Sequence, residues 1–291
     1  MCKLLAFWVG ILGFVTASAH ATAIFVDLGT ADSFAILAGS AVTNTGPTTI
    51  HGNVGVAPGI AVTGFPPGTV TAGAIHASDA VAFQAQRDLT TAYNFAASEA
   101  SDFNLTGTDL AGLTLKPGVY TFASSAQLSG TLTLDGQGNP NAVFVFQIGT
   151  TFTTGSGASV VSINGGTGDS VFFQVGSSAT LGINTVFEGN ILALTDITVS
   201  SGTSIGCGRA LALNGAVTLD TNTVSIDTAN CETTTGTSVT AVPEPISFAS
   251  FAGGLFGLVW AKRRSGKPRV IVSVQRACDP EPDTVPEIPP A

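Results

Sequence analysis

The chain has 291 residues, of which 10% are charged and 44% are hydrophobic, and its mean hydropathy is +0.43. Charged residues usually make up about 25% of a globular protein, and disorder goes with low hydropathy and high net charge. This composition therefore predicts a folded chain with a buried core. The formal net charge of −9 argues against nucleic-acid binding, which needs clustered Lys and Arg.

The N-terminal segment, residues 1–21, has the features of a secretory signal peptide. Lys3 precedes an apolar run from Leu4 to Val15, and both Ala17-Ser18-Ala19 and Ala19-His20-Ala21 fit the small-x-small cleavage rule. The alternative is an uncleaved membrane anchor, although a membrane span needs about 20 apolar residues. We expect residues 1–21 to direct export of the chain.

Residues 78–101 contain neither Gly nor Pro and are rich in Ala, which predicts a helix over about residues 79–100. Ser78 is expected to be the N-cap, with Asp79 in the first turn. Six residues share one face at helical spacing: Ala82, Gln86, Leu89, Tyr93, Ala96 and Ala100. We expect this face to pack along the rest of the domain, and a ligand-binding helix is the alternative.

Three segments share one pattern, and they begin at Thr180, Thr198 and Thr218, at nearly equal intervals along the chain. A fourth, more distant copy begins at Thr43. Self-similarity with a period of about 20 residues predicts a solenoid, in which each coil buries its apolar face against its neighbours. Side chains alternate along a strand, so inward Leu and Val residues predict two outward threonine columns. These columns are Thr180, Thr198 and Thr218 on one face, and Thr185, Thr203 and Thr223 beyond the corner.

The stretch from about residue 22 to residue 240 contains only two cysteines, Cys207 and Cys231. An oxidising compartment favours a disulfide between them, and two unpaired buried thiols are the alternative. Two cysteines without a supporting His cannot form a structural zinc site. The sequence therefore predicts no metal centre.

The C-terminal part resembles the PEP-CTERM sorting signal of Gram-negative bacteria. The motif Pro243-Glu244-Pro245 is followed by an apolar run over residues 246–261 and by Lys262-Arg263-Arg264. The resemblance implies recognition and processing at the membrane during export, and an ordinary membrane anchor is the alternative. Residues 265–291 follow the basic cluster, whereas such signals usually end near the C-terminus. The expected order is a signal peptide (1–21), a solenoid (22–232), a Thr-rich linker (233–241), the sorting signal (242–264) and a disordered tail (265–291).

Several motifs, in one order, resemble the microbial ice-binding protein family over about residues 24–228. They are Leu28–Gly39, Gly52–Gly59, Thr63-Gly64-Phe65, Leu115–Tyr120 and Gly208–Ala212. The resemblance implies a mainly β, right-handed, three-faced discontinuous β-solenoid with one long α-helix packed alongside. It also implies that the N-terminal segment and the C-terminal half contribute interleaved coils. Many members carry a Thr-Ala/Gly-x-Thr/Asn motif, which Thr45-Gly46-Pro47-Thr48 matches with an unexpected Pro.

The resemblance predicts adsorption to ice through a flat threonine-rich face, without catalysis or cofactor. The candidate ice-binding residues are Thr45, Thr48, Thr180, Thr185, Thr198, Thr203, Thr218 and Thr223. Asp220 and Glu188 count against a perfect face, because charge disrupts ice-like water. Ice and the export and sorting machinery are the expected partners, and extracellular polysaccharide is a further partner class that a surface location allows.

Two other classes of function compete with ice binding. An enzyme of the polysaccharide-cleaving β-helix type needs clustered carboxylates, whereas Asp135, Glu188 and Asp196 are isolated, and His51 and His76 lack ligand partners at useful spacing. No nucleophile elbow, P-loop or zinc signature is present in the sequence. The remaining competitor is an extracellular structural or adhesive matrix protein that has the same fold and no ice affinity.

Overall fold

The computed structural model describes residues 23–165 and 167–227, which form parallel β-strands and one α-helix. The predicted signal peptide, the sorting signal with its apolar run, and Cys231 lie outside the described residues. In the part of the chain that is described, no helix is both long enough and apolar enough to cross a membrane.

The strands form a seven-stranded sheet and a fifteen-stranded sheet. The larger sheet covers two faces, because the strands Val186–Ala193 and Ser204–Ala212 both continue around a corner. The pairing register of these two strands shifts between Glu188 and Asn190. Gly189 stands at this bulge with φ +118, where a Cβ atom would lie 3.0 Å from Val171. The result is a three-faced solenoid, as predicted.

Each face is a stack of parallel strands, whose order in the stack differs from their order in the sequence. The threonine face comprises, in stacking order, Ala126–Leu128, Phe152–Thr154, Ala179–Leu181, Ile197–Val199, Val217–Leu219, Ala41–Asn44 and Ala61–Thr63. The helix-covered face comprises Phe103–Asn104, Gly118–Phe122, Phe144–Ile148, Val171–Val175, the second halves of Val186–Ala193 and Ser204–Ala212, Phe34–Ala38, Asn53–Val56 and Ile75–Ala77. The third face comprises Thr114–Leu115, Thr131–Asp135, Ser159–Ile163, the first halves of the same two long strands, Thr223–Ser225, Thr49–His51 and Thr69–Thr71.

The solenoid is discontinuous, because its N-terminal coils stack on its last C-terminal coil. Val217–Leu219 pairs in parallel with Ala41–Asn44, and Ser204–Ala212 pairs with Phe34–Ala38. The N-terminal coils therefore form one block at the end of the stack, rather than alternating with C-terminal coils one by one. We call the described residues up to Ala77 the N-terminal block.

The interior is filled by apolar side chains that repeat from coil to coil. Because parallel strands pair in register, Tyr120, Phe146 and Phe173 stand above one another. Their ring centroids are 5.4 and 4.5 Å apart, and Phe103 extends the stack at 5.1 Å. Because the inward positions of the strands build the core, the outward positions can carry polar side chains.

The helix runs from Ala80 to Ser98 and covers one face of the solenoid. Ala85, Leu89 and Tyr93 belong to the same buried cluster as Val145 and Phe172 of the helix-covered face. The predicted packing role is therefore correct, and the helix covers the central strands of this face.

Both predicted ends of the helix need correction. Asp79, not Ser78, is the N-cap, and its Oδ1 accepts the backbone N–H of Ala82 at 2.9 Å. Ser78 has φ +54, a turn conformation that places it before the helix. Ala100 lies beyond Ser98, so it does not belong to the packed face.

Arg209 joins the N-terminal block to the C-terminal coils. It is 4% exposed, its Nε donates to the carbonyl oxygen of Asp32 at 2.9 Å, and its Nη1 donates to Asn190 Oδ1 at 2.8 Å. Its Nη2 lies 2.8 Å from the Asp32 carboxylate. One side chain thus connects segments that are far apart in sequence.

Candidate functional site

One residue from each strand of the threonine face pairs in register with its neighbours, and these residues stand in one column. In stacking order the column is Gln127, Thr153, Thr180, Thr198, Thr218, Thr43 and Thr63. Thr180, Thr198 and Thr218 are exposed, as predicted, whereas their neighbours Leu181, Val199 and Leu219 are buried. Six consecutive coils therefore present a threonine at the same position.

The column is regular because it is built on paired parallel strands. Neighbouring strands lie about 4.8 Å apart, so the five intervals between the six threonines span roughly 24 Å. Thr43 Oγ1 donates to Thr218 Oγ1 at 3.3 Å across the junction with the N-terminal block. The two blocks thus form one continuous threonine face.

The borders of this face carry small and mostly neutral residues. Three ionisable groups stand at its edges: Asp196 lies two residues before Thr198, Asp220 lies two residues after Thr218, and Asp109 pairs with Gln127 at the end of the column. Asp196 Oδ1 accepts the Ala216 backbone N–H at 2.8 Å, and Asp220 Oδ1 accepts the Thr221 hydroxyl at 3.0 Å. The Asp196 carboxylate is thus bonded to the neighbouring coil and that of Asp220 to its own turn. None of the six threonine positions of the column carries an ionisable group.

The prediction that Thr185 and Thr203 point outward is wrong, because both side chains are buried, at 0% and 1% exposure. Each follows a residue with positive φ, Asn184 at +58° and Gly202 at +72°. A left-handed residue at a corner interrupts the alternation of a strand and turns the next side chain inward. There the hydroxyls satisfy corner carbonyls: both donate to the carbonyl oxygen of Gly182 at 2.7 Å.

Thr48 and Thr45, the two threonines of the four-residue motif, are separated by the same corner. Thr48 is 1% exposed, so the prediction that it is an ice-binding residue is wrong. Its hydroxyl donates to Asn44 Oδ1 at 2.6 Å. Thr45 is exposed and lies next to Leu219, whose carbonyl oxygen accepts its hydroxyl at 3.4 Å. The motif therefore offers one hydroxyl at the border of the threonine face.

The outward column beyond the corner has a different composition from the one predicted. In stacking order it is Thr131, Ser159, Val186, Ser204, Thr223, Thr49 and Thr69. Of the predicted second column, only Thr223 belongs to it and is exposed. Glu188 lies on this third face, opposite Gly206, and burial raises the pKa of its carboxyl. Glu188 therefore does not interrupt the threonine face.

The sequence repeats missed two members of the column, Thr63 and Thr153, and Thr43, which begins the fourth copy of the repeat, was not among the candidate ice-binding residues. Thr63 follows Thr43 by the same interval that separates Thr218 from Thr198, so the repeat found further along the chain could have revealed it. Thr153 precedes Thr180 by a longer interval, because its coil continues through a longer loop. Only the strand pairing of Phe152–Thr154 with Ala179–Leu181 reveals its place.

The structure describes only one of the two cysteines of the predicted disulfide, Cys207. Cys207 is buried and disulfide-bonded, and it stands at the corner of Ser204–Ala212 with φ +46. Cys231 lies outside the described residues, so its pairing with Cys207 stays a prediction.

Comparison with known proteins identifies the fold and the C-terminal signal. Residues 36–225 match the family model described as ice-binding-like, and residues 241–264 match the PEP-CTERM protein-sorting motif. An ice-binding protein of Nostoc sp. (strain HG1) is 57% identical over 238 residues, which cover 81% of this chain and 86% of the relative.

Solved structures give the same result. The crystal structure of an ice-binding protein from the Antarctic ascomycete Antarctomyces psychrotrophicus has a TM-score of 0.68 and 41% identity, covering 70% of this chain and 99% of that one. An ice-binding protein from an Antarctic biological consortium has the same TM-score and 45% identity, covering 70% and 92%. With its discontinuous β-solenoid, its covering helix and a matched model that spans most of the solenoid, the chain belongs to the ice-binding-like family.

Proposed function

We propose that this protein is exported and binds ice by adsorption through the threonine face, which blocks growth or recrystallisation. The observation that carries the proposal is the column of six consecutive threonines, which contains no ionisable group. The relatives named above as ice-binding proteins support the same activity. Adsorption requires neither a catalytic group nor a cofactor.

The chemistry of the column suits bound water. Each threonine offers a methyl group for ice-like apolar hydration and a hydroxyl that both donates and accepts hydrogen bonds. Threonine is stiff at χ1, so little side-chain entropy is lost when a water lattice forms over it. The regular spacing of about 4.8 Å between strands is close to spacings present on ice surfaces.

The third face suits ice less well, although it also carries hydroxyl groups. Its column is interrupted by Val186, and Glu188 and His51 stand beside that column. A carboxylate and an imidazole bind water in orientations that do not match those of an ice lattice. The threonine face is therefore the stronger candidate.

Export is supported by features of both ends of the chain. The PEP-CTERM match supports handling by sorting machinery at the membrane, and we propose that residues 1–21 act as the signal peptide. We further propose that residues 246–261 anchor the chain in the membrane until it is processed. The mature protein would then act at the cell surface or outside the cell.

The test is a comparison of thermal hysteresis and ice recrystallisation inhibition for residues 22–240, a range that contains all the described strands of the solenoid. The face variant is Thr180→Tyr/Thr198→Tyr, and the matched control is Thr131→Tyr/Thr223→Tyr, which places the same bulk on exposed threonines of the third face. We expect activity in the parent and the control, and its loss in a folded face variant.

The other outcomes each contradict a separate part of the proposal. A folded parent without activity would exclude ice binding and leave an adhesive or structural matrix protein as the better explanation. Loss of activity in the third-face control, with activity kept in the face variant, would move the site to the third face.

A further inference from the structure

A second polar column runs inside the solenoid, directly behind one border of the threonine face. Its members are buried corner residues in successive coils, Thr185, Thr203, Asn222 and Thr48, together with Thr154 and Asn44 at its two ends. None of them is exposed to a surface on which ice could form. We call these six residues the corner ladder.

The corner ladder repeats one hydrogen bond from coil to coil. In two coils a side chain donates to the carbonyl that stands two residues after the face threonine of the preceding coil in the stack: Thr203 Oγ1 to Gly182 at 2.7 Å, and Asn222 Nδ2 to Ser200 at 2.8 Å. The Thr185 hydroxyl occupies the same position, 3.3 Å from the Gly155 carbonyl oxygen, but its single proton is donated to Gly182 of its own coil. The coils are thus connected at the end of each short strand of the threonine face.

The same ladder crosses the junction between the C-terminal coils and the N-terminal block. The backbone N–H of Asn222 donates to Thr48 Oγ1 at 3.0 Å, and Thr48 in turn donates to Asn44 Oδ1. Asn44 Nδ2 then donates to the Gly64 carbonyl oxygen at 2.9 Å. At the other end, the hydroxyls of Thr185 and Thr154 are 2.8 Å apart. The connection therefore covers all six coils that contribute a threonine to the face.

Close packing at these corners leaves little freedom for the ladder to move. A Cβ atom at Gly182 would lie 2.6 Å from the Thr154 carbonyl oxygen, so only glycine allows the two coils to approach there. Most strands of the threonine face are three residues long, and each offers few backbone hydrogen bonds to its neighbour. Side-chain bonds at the strand ends consequently form a large share of the coil-to-coil connections on this face.

We propose that the corner ladder is a positioning element for ice binding, in which Thr203 and its counterparts keep the threonine column flat. Stacked strands normally twist by about 20 to 25° from one to the next, and flat sheets are held by stacking or by specific side-chain ladders. A twisted column would match a planar lattice over only a few coils. This inference rests on the function proposed above, and it assigns the buried hydroxyls a part in activity without contact with ice.

The test uses Thr203→Val in residues 22–240, because valine keeps the shape of threonine and removes its hydroxyl. Thr203→Ser restores a hydroxyl and is the rescue variant. Ile205→Val, in the same coil and buried, is the control for lost stability without a lost hydrogen bond. Thermal hysteresis and the ice planes that bind fluorescently labelled protein are measured near 0 °C, with folding checked by circular dichroism at that temperature.

We expect Thr203→Val to lose activity several-fold and to change its set of bound planes while it stays folded, and Thr203→Ser and Ile205→Val to remain near the parent. If Thr203→Val does not fold at 0 °C, Thr185→Val makes the same comparison one coil away. Parental activity and planes in the folded valine variant would overturn the inference, as would an equal loss in Ile205→Val. An inactive parent would instead overturn the function on which the inference depends.

Discussion

Arg209 provides a sharp test of how the discontinuous solenoid is held together. Its guanidinium donates to Asn190, in the second half of the strand Val186–Ala193, and to the backbone and side chain of Asp32, which precedes the first strand of the N-terminal block. Arg209→Ala removes these interactions from a site that is nearly inaccessible to water. We expect this variant to weaken the connection between the two parts of the chain.

The expected magnitude follows from the burial of each partner. Asn190 is fully buried, and losing a hydrogen bond from a charged donor costs about 1.5–3 kcal/mol. The Asp32 side chain is 65% exposed, so water replaces its ion pair, which is worth at most about 1 kcal/mol. Arg209→Ala should therefore lower the free energy of unfolding by about 3 kcal/mol, and Asp32→Ala by less than about 1 kcal/mol.

The assay is urea unfolding of residues 22–240 at neutral pH, for the parent and for both variants. Arg209→Lys is a useful third variant, because lysine keeps the charge but lacks the planar fork that reaches several acceptors at once. We expect it to resemble Arg209→Ala more than the parent. Equal destabilisation by Arg209→Ala and Asp32→Ala would refute the reasoning, because it would mean that the exposed ion pair, not the buried hydrogen bonds, holds the junction.

Two further predictions concern Glu188 and the cysteines. Burial raises the pKa of Glu188 above its ordinary 4.5, so the folded chain binds the proton more tightly than the unfolded chain does. The free energy of unfolding therefore falls as the pH rises from 4.5 through the raised pKa. In Glu188→Gln the amide oxygen can still accept the Ser162 N–H. This variant should unfold at a higher urea concentration than the parent at pH 7, and at the same urea concentration near pH 3. Equal unfolding midpoints at pH 7 would contradict the prediction. A Cys207–Cys231 disulfide would close about 25 residues and stabilise the fold by about 3 kcal/mol, and a non-reducing peptide map that shows Cys231 as a free thiol would exclude it.

The sequence predicted the threonine column where two local rules acted together. Around Thr180, Thr198 and Thr218, the repeat fixed the period and the alternation of a strand fixed the side that faces outward. At the corners the second rule fails, because a residue such as Asn184 with positive φ resets the direction of the next side chain. Thr185 therefore belongs to the same repeat as Thr180 and is also a threonine, but its side chain points into the solenoid instead of outward.

The helix boundary and the order of the coils were hard to predict for different reasons. Ser78 and Asp79 are both good N-cap residues, so only the backbone conformation of Ser78 decides between them. The place of the N-terminal block depends on pairing between strands such as Ala41–Asn44 and Val217–Leu219. A contact between residues as distant in sequence as Thr43 and Thr218 leaves no periodic trace, so only the family resemblance implied it.

The discontinuity has a consequence for the proposed activity as well as for the fold. Without the N-terminal block, the column would contain the four threonines from Thr153 to Thr218; with it, Thr43 and Thr63 extend the column to six. Adsorption over a regular lattice strengthens with the number of matched contacts made at once, because one rigid surface orders all of them together. The long-range pairing that closes the fold is thus also the step that lengthens the face, so changes at the junction are expected to affect stability and ice affinity together.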